Sequence, residues 1–109
     1  MNTEKTFSKI EKAAAKKNSK NIISLMKKAD PEVLVKALEA LGQIGDEDSC
    51  NTITHYLENP ADQVRIAACK AGLCANSEYL RTRIRHQFAN EQVESVRKEI
   101  QNALNEASK

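Results

Sequence analysis

The side chains of this chain most capable of chemistry are His55 and His86, the thiols Cys50, Cys69 and Cys74, and the acidic triplet Asp46-Glu47-Asp48. Catalysis requires such groups to converge on one reacting atom. The two histidines are far apart in sequence and fall on different helices. Cys69 and Cys74 are five residues apart with no histidine nearby, which is not the spacing of a zinc site. No Gly-rich phosphate loop and no Gly-x-Ser-x-Gly turn is present. The acidic triplet stands where a helix begins, and carboxylates there answer the positive end of the helix dipole. We therefore expect no catalytic residue, no cofactor and no metal. The odd cysteine count has no disulfide-framework spacing and fits reduced thiols packing as small hydrophobes in a cytoplasmic protein.

Charge is the next candidate for chemistry. Residues 1–28 carry eight lysines against Glu4 and Glu11, a net of +6, whereas the whole chain is only +2. The basic character is therefore local. The lysines at 5, 9, 12, 16, 17, 20, 27 and 28, with the group Arg81/Arg83/Arg85, could contact phosphates. Arg81 and Arg85 are four residues apart and share a helix face. No aromatic residues interleave with these charges, so bases would have nothing to stack on. A lysine run on an amphipathic helix is most often its solvated face. Nucleic acid thus ranks behind protein as a partner class.

The elements that must position these groups are helices. Aromatic residues make up 4% of the chain, and Gly and Pro number only three and two. An Ala-, Leu-, Lys- and Glu-rich composition of this kind favours helices packed through small side chains. No apolar run is long enough for a signal peptide or a membrane span. Self-similarity then decides the architecture. Val33, Val64 and Val96 superimpose at spacings of 31 and 32 residues, carrying Ala40 onto Ala71 and Ala103, and Ile22 onto Ile53. Each unit reads as a first helix (20–28, 48–58, 78–89), a tight turn and a second helix. A further helix over 4–17 opens the chain, with Thr3 as its cap and Phe7, Ile10 and Ala14 as its inner face. Asp46 or Asp48 caps the helix at 48–58, and Ser77 the one at 78–89. Pro31 and Pro60 mark the starts of second helices, and Gly42 and Gly45 the end of one.

The helix over 31–44 is apolar around most of its circumference, leaving only Glu32, Lys36, Glu39 and Gln43 as a polar stripe. So wide an apolar arc must be packed on several sides, as in a stack of hairpins. The reading is a single all-α domain over 1–109. It forms a right-handed α-α superhelix of about three hairpins (19–45, 46–76, 77–107) plus an N-terminal cap helix.

Two segments carry a family resemblance. Asn59-Pro60-Ala61-Asp62-Gln63-Val64-Arg65 is similar to the start of a HEAT-type second helix, Asp-Pro-x-x-x-Val-Arg. Ala40-Leu41-Gly42-Gln43-Ile44-Gly45-Asp46 matches the end, Ala-Leu-Gly-x-Ile-Gly-Asp. Glu91 to Val96-Arg97 is a looser third copy. The chain resembles the HEAT repeats, and especially the HEAT-like repeats of phycobilisome lyase subunits and other bacterial proteins, over about residues 19–107. The resemblance implies a ladder between successive repeats, supplied here by Asn59/Arg65 and Glu91/Arg97. Lys28 and Leu34 fill the corresponding slots of the first unit, where the ladder is absent.

What such a solenoid does is bind. Carried through the repeat, the polar stripe of the second helices places Lys36, Glu39, Gln43, Lys70, Glu99 and Asn102 on a concave surface. We expect a non-catalytic protein-interaction module or adaptor that takes a peptide or protein there, as a monomer or weak homodimer, without membrane contact. The alternatives are nucleic acid or another polyanion on the basic groups, and an accessory role beside a lyase-type enzyme. Leu34, Val35 and Leu38 are where an apolar end would pair with a second copy.

Overall fold

The computed structural model describes residues 2–108. These form seven helices and no strand: α1 (Thr3–Ala15), α2 (Ser19–Leu25), α3 (Pro31–Ile44), α4 (Glu47–Tyr56), α5 (Asp62–Ala75), α6 (Glu78–Asn90) and α7 (Glu94–Ala107).

Most ends have a local cause. Asp46 accepts the Ser49 N–H at 2.8 Å and Ser77 the Leu80 N–H at 3.3 Å, so each side chain satisfies an amide that the helix leaves free. Three expectations need correction. Asn2, and not Thr3, caps α1, accepting the Glu4 N–H at 2.8 Å while Thr3 is already helical. Pro31 is the first residue of α3, but Pro60 precedes the α5 cap residue Ala61 and belongs to the turn. Asn59 Oδ1 accepts the Ala61 N–H at 2.9 Å and builds that turn. Of the two glycines, only Gly45 ends α3 in the left-handed region (φ 64°). Gly42 is helical and buried, and a Cβ placed on it would lie 2.8 Å from the Cα of Ala71. Its function is close approach of two helices rather than a turn.

The helices form two layers. α1, α3, α5 and α7 lie side by side in chain order, and α2, α4 and α6 back them. Neighbours in the first layer run parallel: Thr3 meets Glu32 near the starts of α1 and α3, and Glu11 meets Lys36 further along. α1 thus takes the place that a second helix of a preceding hairpin would occupy. Its buried residues are Thr6, Ile10 and Ala13, with Phe7 and Ala14 half-buried, so the inner face is turned from the expected Phe7/Ile10/Ala14 stripe. Thr6 tolerates burial because its hydroxyl donates to the Asn2 carbonyl at 3.2 Å.

The core lies between the layers. Ile10, Leu38, Leu41, Val64, Val96 and Ile100 meet Ile22, Ile53, Leu57, Leu80 and Ile84, each at most 1% exposed. Each such side chain contributes roughly 1.5–3 kcal/mol by leaving water. Leu34 and Leu38 are buried within the chain, and only Val35 of the expected pairing patch is half-exposed.

Candidate partner-binding face

The polar side chains of the four-helix layer gather around two hollows. One, of about 320 Å³, lies between α1 and α3 over Ile10, Ala14 and Ala40, with Glu11, Lys36, Glu39 and Gln43 at its rim. The other, of about 410 Å³, lies between α5 and α7 over Leu73, Ala103 and Ala107, bordered by Lys70, Cys74 and Glu106. Between them α3 and α5 make the most extensive helix contact of the molecule, with Gly42 seated on Ala71.

The structure therefore brings Lys36, Glu39 and Gln43 to one hollow and Lys70 to the other. Lys36 is half-buried, with its ammonium 3.4 Å from Glu11 and 5.9 Å above the Phe7 ring. Lys70 reaches Glu99 on α7 at 3.5 Å. Both lysines thus bridge neighbouring helices, and both pairs are open to solvent, where such contacts are weak and exchangeable. Asn102 is exposed on α7 and lines neither hollow. Phe7 and Glu11 were not anticipated as neighbours of this face. They share one side of α1 at i, i+4, a signal that becomes informative only once α1 is known to lie beside α3.

A buried ion pair joins the start of α5 to the turn between α6 and α7. Arg65 Nε and Nη2 donate to the two carboxylate oxygens of Glu91 at 2.9 and 3.0 Å, a bidentate pair 11% and 3% exposed. Arg65 also donates to Asp62 at 2.6 Å and to the Asn59 and Pro60 carbonyls at 3.0 and 3.1 Å. Gln87 Nε2 and the Val93 N–H complete the shell of Glu91 at 3.0 and 3.1 Å. Burial pushes the Glu91 carboxyl up, but the hydrogen bonds from Arg65, Val93 and Gln87 outweigh it and leave it below the ordinary range. The rung thus joins Arg65 of one unit to Glu91 of the next. The Asn59 side chain serves its own turn, and Arg97 lies 5.0 Å over the Phe88 ring with its Nε on the Phe88 carbonyl at 3.4 Å.

Elsewhere, Ser49 and then Ser19 hydrogen-bond the Asp46 carboxylate and lower its pKa. Ser19 donates from α2 at 2.7 Å, so the cap of α4 also ties together two hairpin starts. Cys69 is buried and its thiol is pushed up to about 12 by that burial, with Glu91's charge adding to it. Cys50 is half-buried and Cys74 exposed. No three His, Cys, Asp or Glu side chains gather as a metal site among the described residues. The arginines of α6 diverge: Arg81 bonds Asn76 and borders a small hollow with Arg85, while Arg83 turns to Glu58 at 3.9 Å.

A row of parallel second helices backed by a row of first helices, repeated at about 31 residues, defines a helical-hairpin repeat protein. The chain belongs to the HEAT-repeat family, whose model for HEAT repeats matches residues 19–105. No curated protein and no solved structure matches it. The narrower likeness to the repeats of phycobilisome lyase subunits is accordingly not supported. Among the described residues no helix is long and apolar enough to cross a membrane.

Proposed function

We propose that the chain is a non-catalytic, cytoplasmic protein-binding module that receives a peptide or protein on its four-helix layer. The observation that carries this reading is the pair of hollows on one face, floored by alanines with one larger aliphatic side chain each (Ile10, Leu73) and rimmed by charges of both signs. Such floors accept protruding side chains, and the rim charges of a mixed-sign surface set orientation and partner choice. Lys36, Glu39 and Gln43 recognise the partner at the first hollow and Lys70 at the second, with Glu99 as the partner of Lys70 and Asn102 on the exposed side of α7 as further contacts outside the hollow. Because Lys36 and Lys70 already hold weak acidic partners, an incoming carboxylate exchanges with Glu11 or Glu99 at little cost.

The test is affinity capture from a host lysate by wild type and by a folded Lys36→Glu/Lys70→Glu variant, at low and moderate salt. A protein held by wild type at both salts and lost by the variant supports the reading. Capture of nucleic acid that collapses with salt and ignores the variant would move the function to the lysines of α1 and α2.

A further inference from the structure

The opposite layer carries a second cleft of different chemistry. α2 and α4 leave a space of about 290 Å³ between them. Met26, 3% exposed, and the half-buried Ile23 form its floor, with Thr52 along the side. Tyr56 forms a wall and is braced by His55, the two rings edge to face with centroids 5.4 Å apart. Tyr56 supplies a large, stiff aromatic surface of the kind that dominates binding energy at protein interfaces, whereas neither hollow of the four-helix layer has an aromatic side chain in its lining.

Charge distinguishes the occupant. Among the described residues Lys27 is the one formally charged side chain lining the cleft; it follows α2, with Lys28 next to it and Lys20 in the first turn of α2. On the other face, Lys36 and Lys70 are engaged by Glu11 and Glu99. Neither the Lys27 ammonium nor the Tyr56 hydroxyl has a hydrogen-bond or ion-pair partner among the described residues. An apolar floor, an aromatic wall with a free hydroxyl and one free cation at the rim match a large apolar side chain followed by a carboxylate. A phosphate backbone would use Lys27 but leave the floor uncovered.

We propose that the α2–α4 cleft docks a short acidic peptide segment of a partner protein. One Phe or Leu side chain of that segment enters over Met26 and Ile23 against Tyr56, and a neighbouring Asp or Glu pairs with Lys27. With a second partner on the four-helix layer, the chain bridges two proteins held on opposite sides. The cleft reading stands independently of the first partner.

The test is an amide-resolved NMR titration of the full chain with the synthetic peptide Asp-Glu-Phe-Glu-Asp and with the same peptide bearing Ala for Phe. The expected result is saturable shifts confined to residues around Ile23, Lys27, Thr52 and Tyr56, with the Ala peptide at least tenfold weaker. Lys27→Glu, on an exposed turn that leaves the fold intact, weakens binding roughly fivefold. Tyr56→Ala, checked for an unchanged spectrum elsewhere, weakens it about thirtyfold. Equal binding of the two peptides, shifts centred on α3 and α5, or no saturation at millimolar peptide would overturn the proposal. So would displacement by a single-stranded oligonucleotide that perturbs the same amides more tightly.

Discussion

The joint between the first and second hairpins and the joint between the second and third occupy equivalent places in the repeat and are built from opposite chemistry. At the first, α3 meets α5 through Gly42 and Ala71, and the position corresponding to Arg65 is the buried Leu34. At the second, α5 is tied by Arg65 to Glu91 in the turn that leads into α7, through a bidentate pair with its remaining oxygen contacts satisfied. Close approach replaces charge where no arginine is available. The apolar joint is intolerant of added volume or charge. The ionic joint is intolerant of losing one partner but tolerant of losing both, because the cost of a buried pair lies in leaving one charge alone.

Ala71→Asp should break the apolar joint outright. A carboxylate there is buried without a partner, which costs about 4 kcal/mol or more, and thermal melting should show an unfolded or barely cooperative protein. Glu91→Ala should cost about 2 kcal/mol by taking the bidentate partner from Arg65, which keeps only Asp62 and the Asn59 and Pro60 carbonyls, measured as a shift in the urea midpoint. The double variant Arg65→Met/Glu91→Leu should recover most of that loss, and a double variant no better than the single would show that the joint needs its charges. Gly42→Ala is the milder probe of the first joint. Its methyl meets the Ala71 backbone and should cost about 1–2 kcal/mol, although alanine is otherwise the better helix former.

The ionic joint also carries a pH signature. Glu91's carboxyl is held below the ordinary glutamate value of about 4.3, so its contribution is complete above that value and is lost as pH falls through the lowered one. Glu91→Gln should flatten this part of the acid limb of a stability-against-pH curve; an unchanged limb would assign acid sensitivity elsewhere. The smallest expected effect is that of Lys70→Ala, whose exposed pair with Glu99 is worth about 0.5 kcal/mol or less. Its melting curve should overlie wild type, and a large shift would mean that Lys70 is not a free side chain of the binding face.

The periodic features of the fold were legible because repetition amplifies them. Val33, Val64 and Val96 each sit inside a second helix and are buried, and Asp46 and Ser77 cap the helices expected of them. What escaped was local ambiguity between two physically sound options. Asn2 and Thr3 are both good caps one position apart, and only the backbone geometry chooses Asn2. Gly42 near a helix end reads as a turn residue, yet the register of α3 against α5 makes it a contact residue. A ladder between successive repeats is expected, but the partner of Arg65 is Glu91 of the next unit, while the Asn59 side chain is taken up by its own turn. At the candidate face, the stripe residues were readable from a helical wheel, but the hollow beside Lys36 depends on α1 packing against α3. The cleft between α2 and α4 was invisible for the same reason, since its walls belong to different hairpins.

The measurement that most directly tests the assignment of function is a hydrogen–deuterium exchange footprint of the chain bound to the protein that the Lys36→Glu/Lys70→Glu variant fails to capture. Binding on the four-helix layer predicts added protection in 3–15, 31–44, 62–75 and 94–107, with α4 and α6 unchanged. Protection confined to α2, α4 and α6 would contradict it and place recognition on the other side of the molecule.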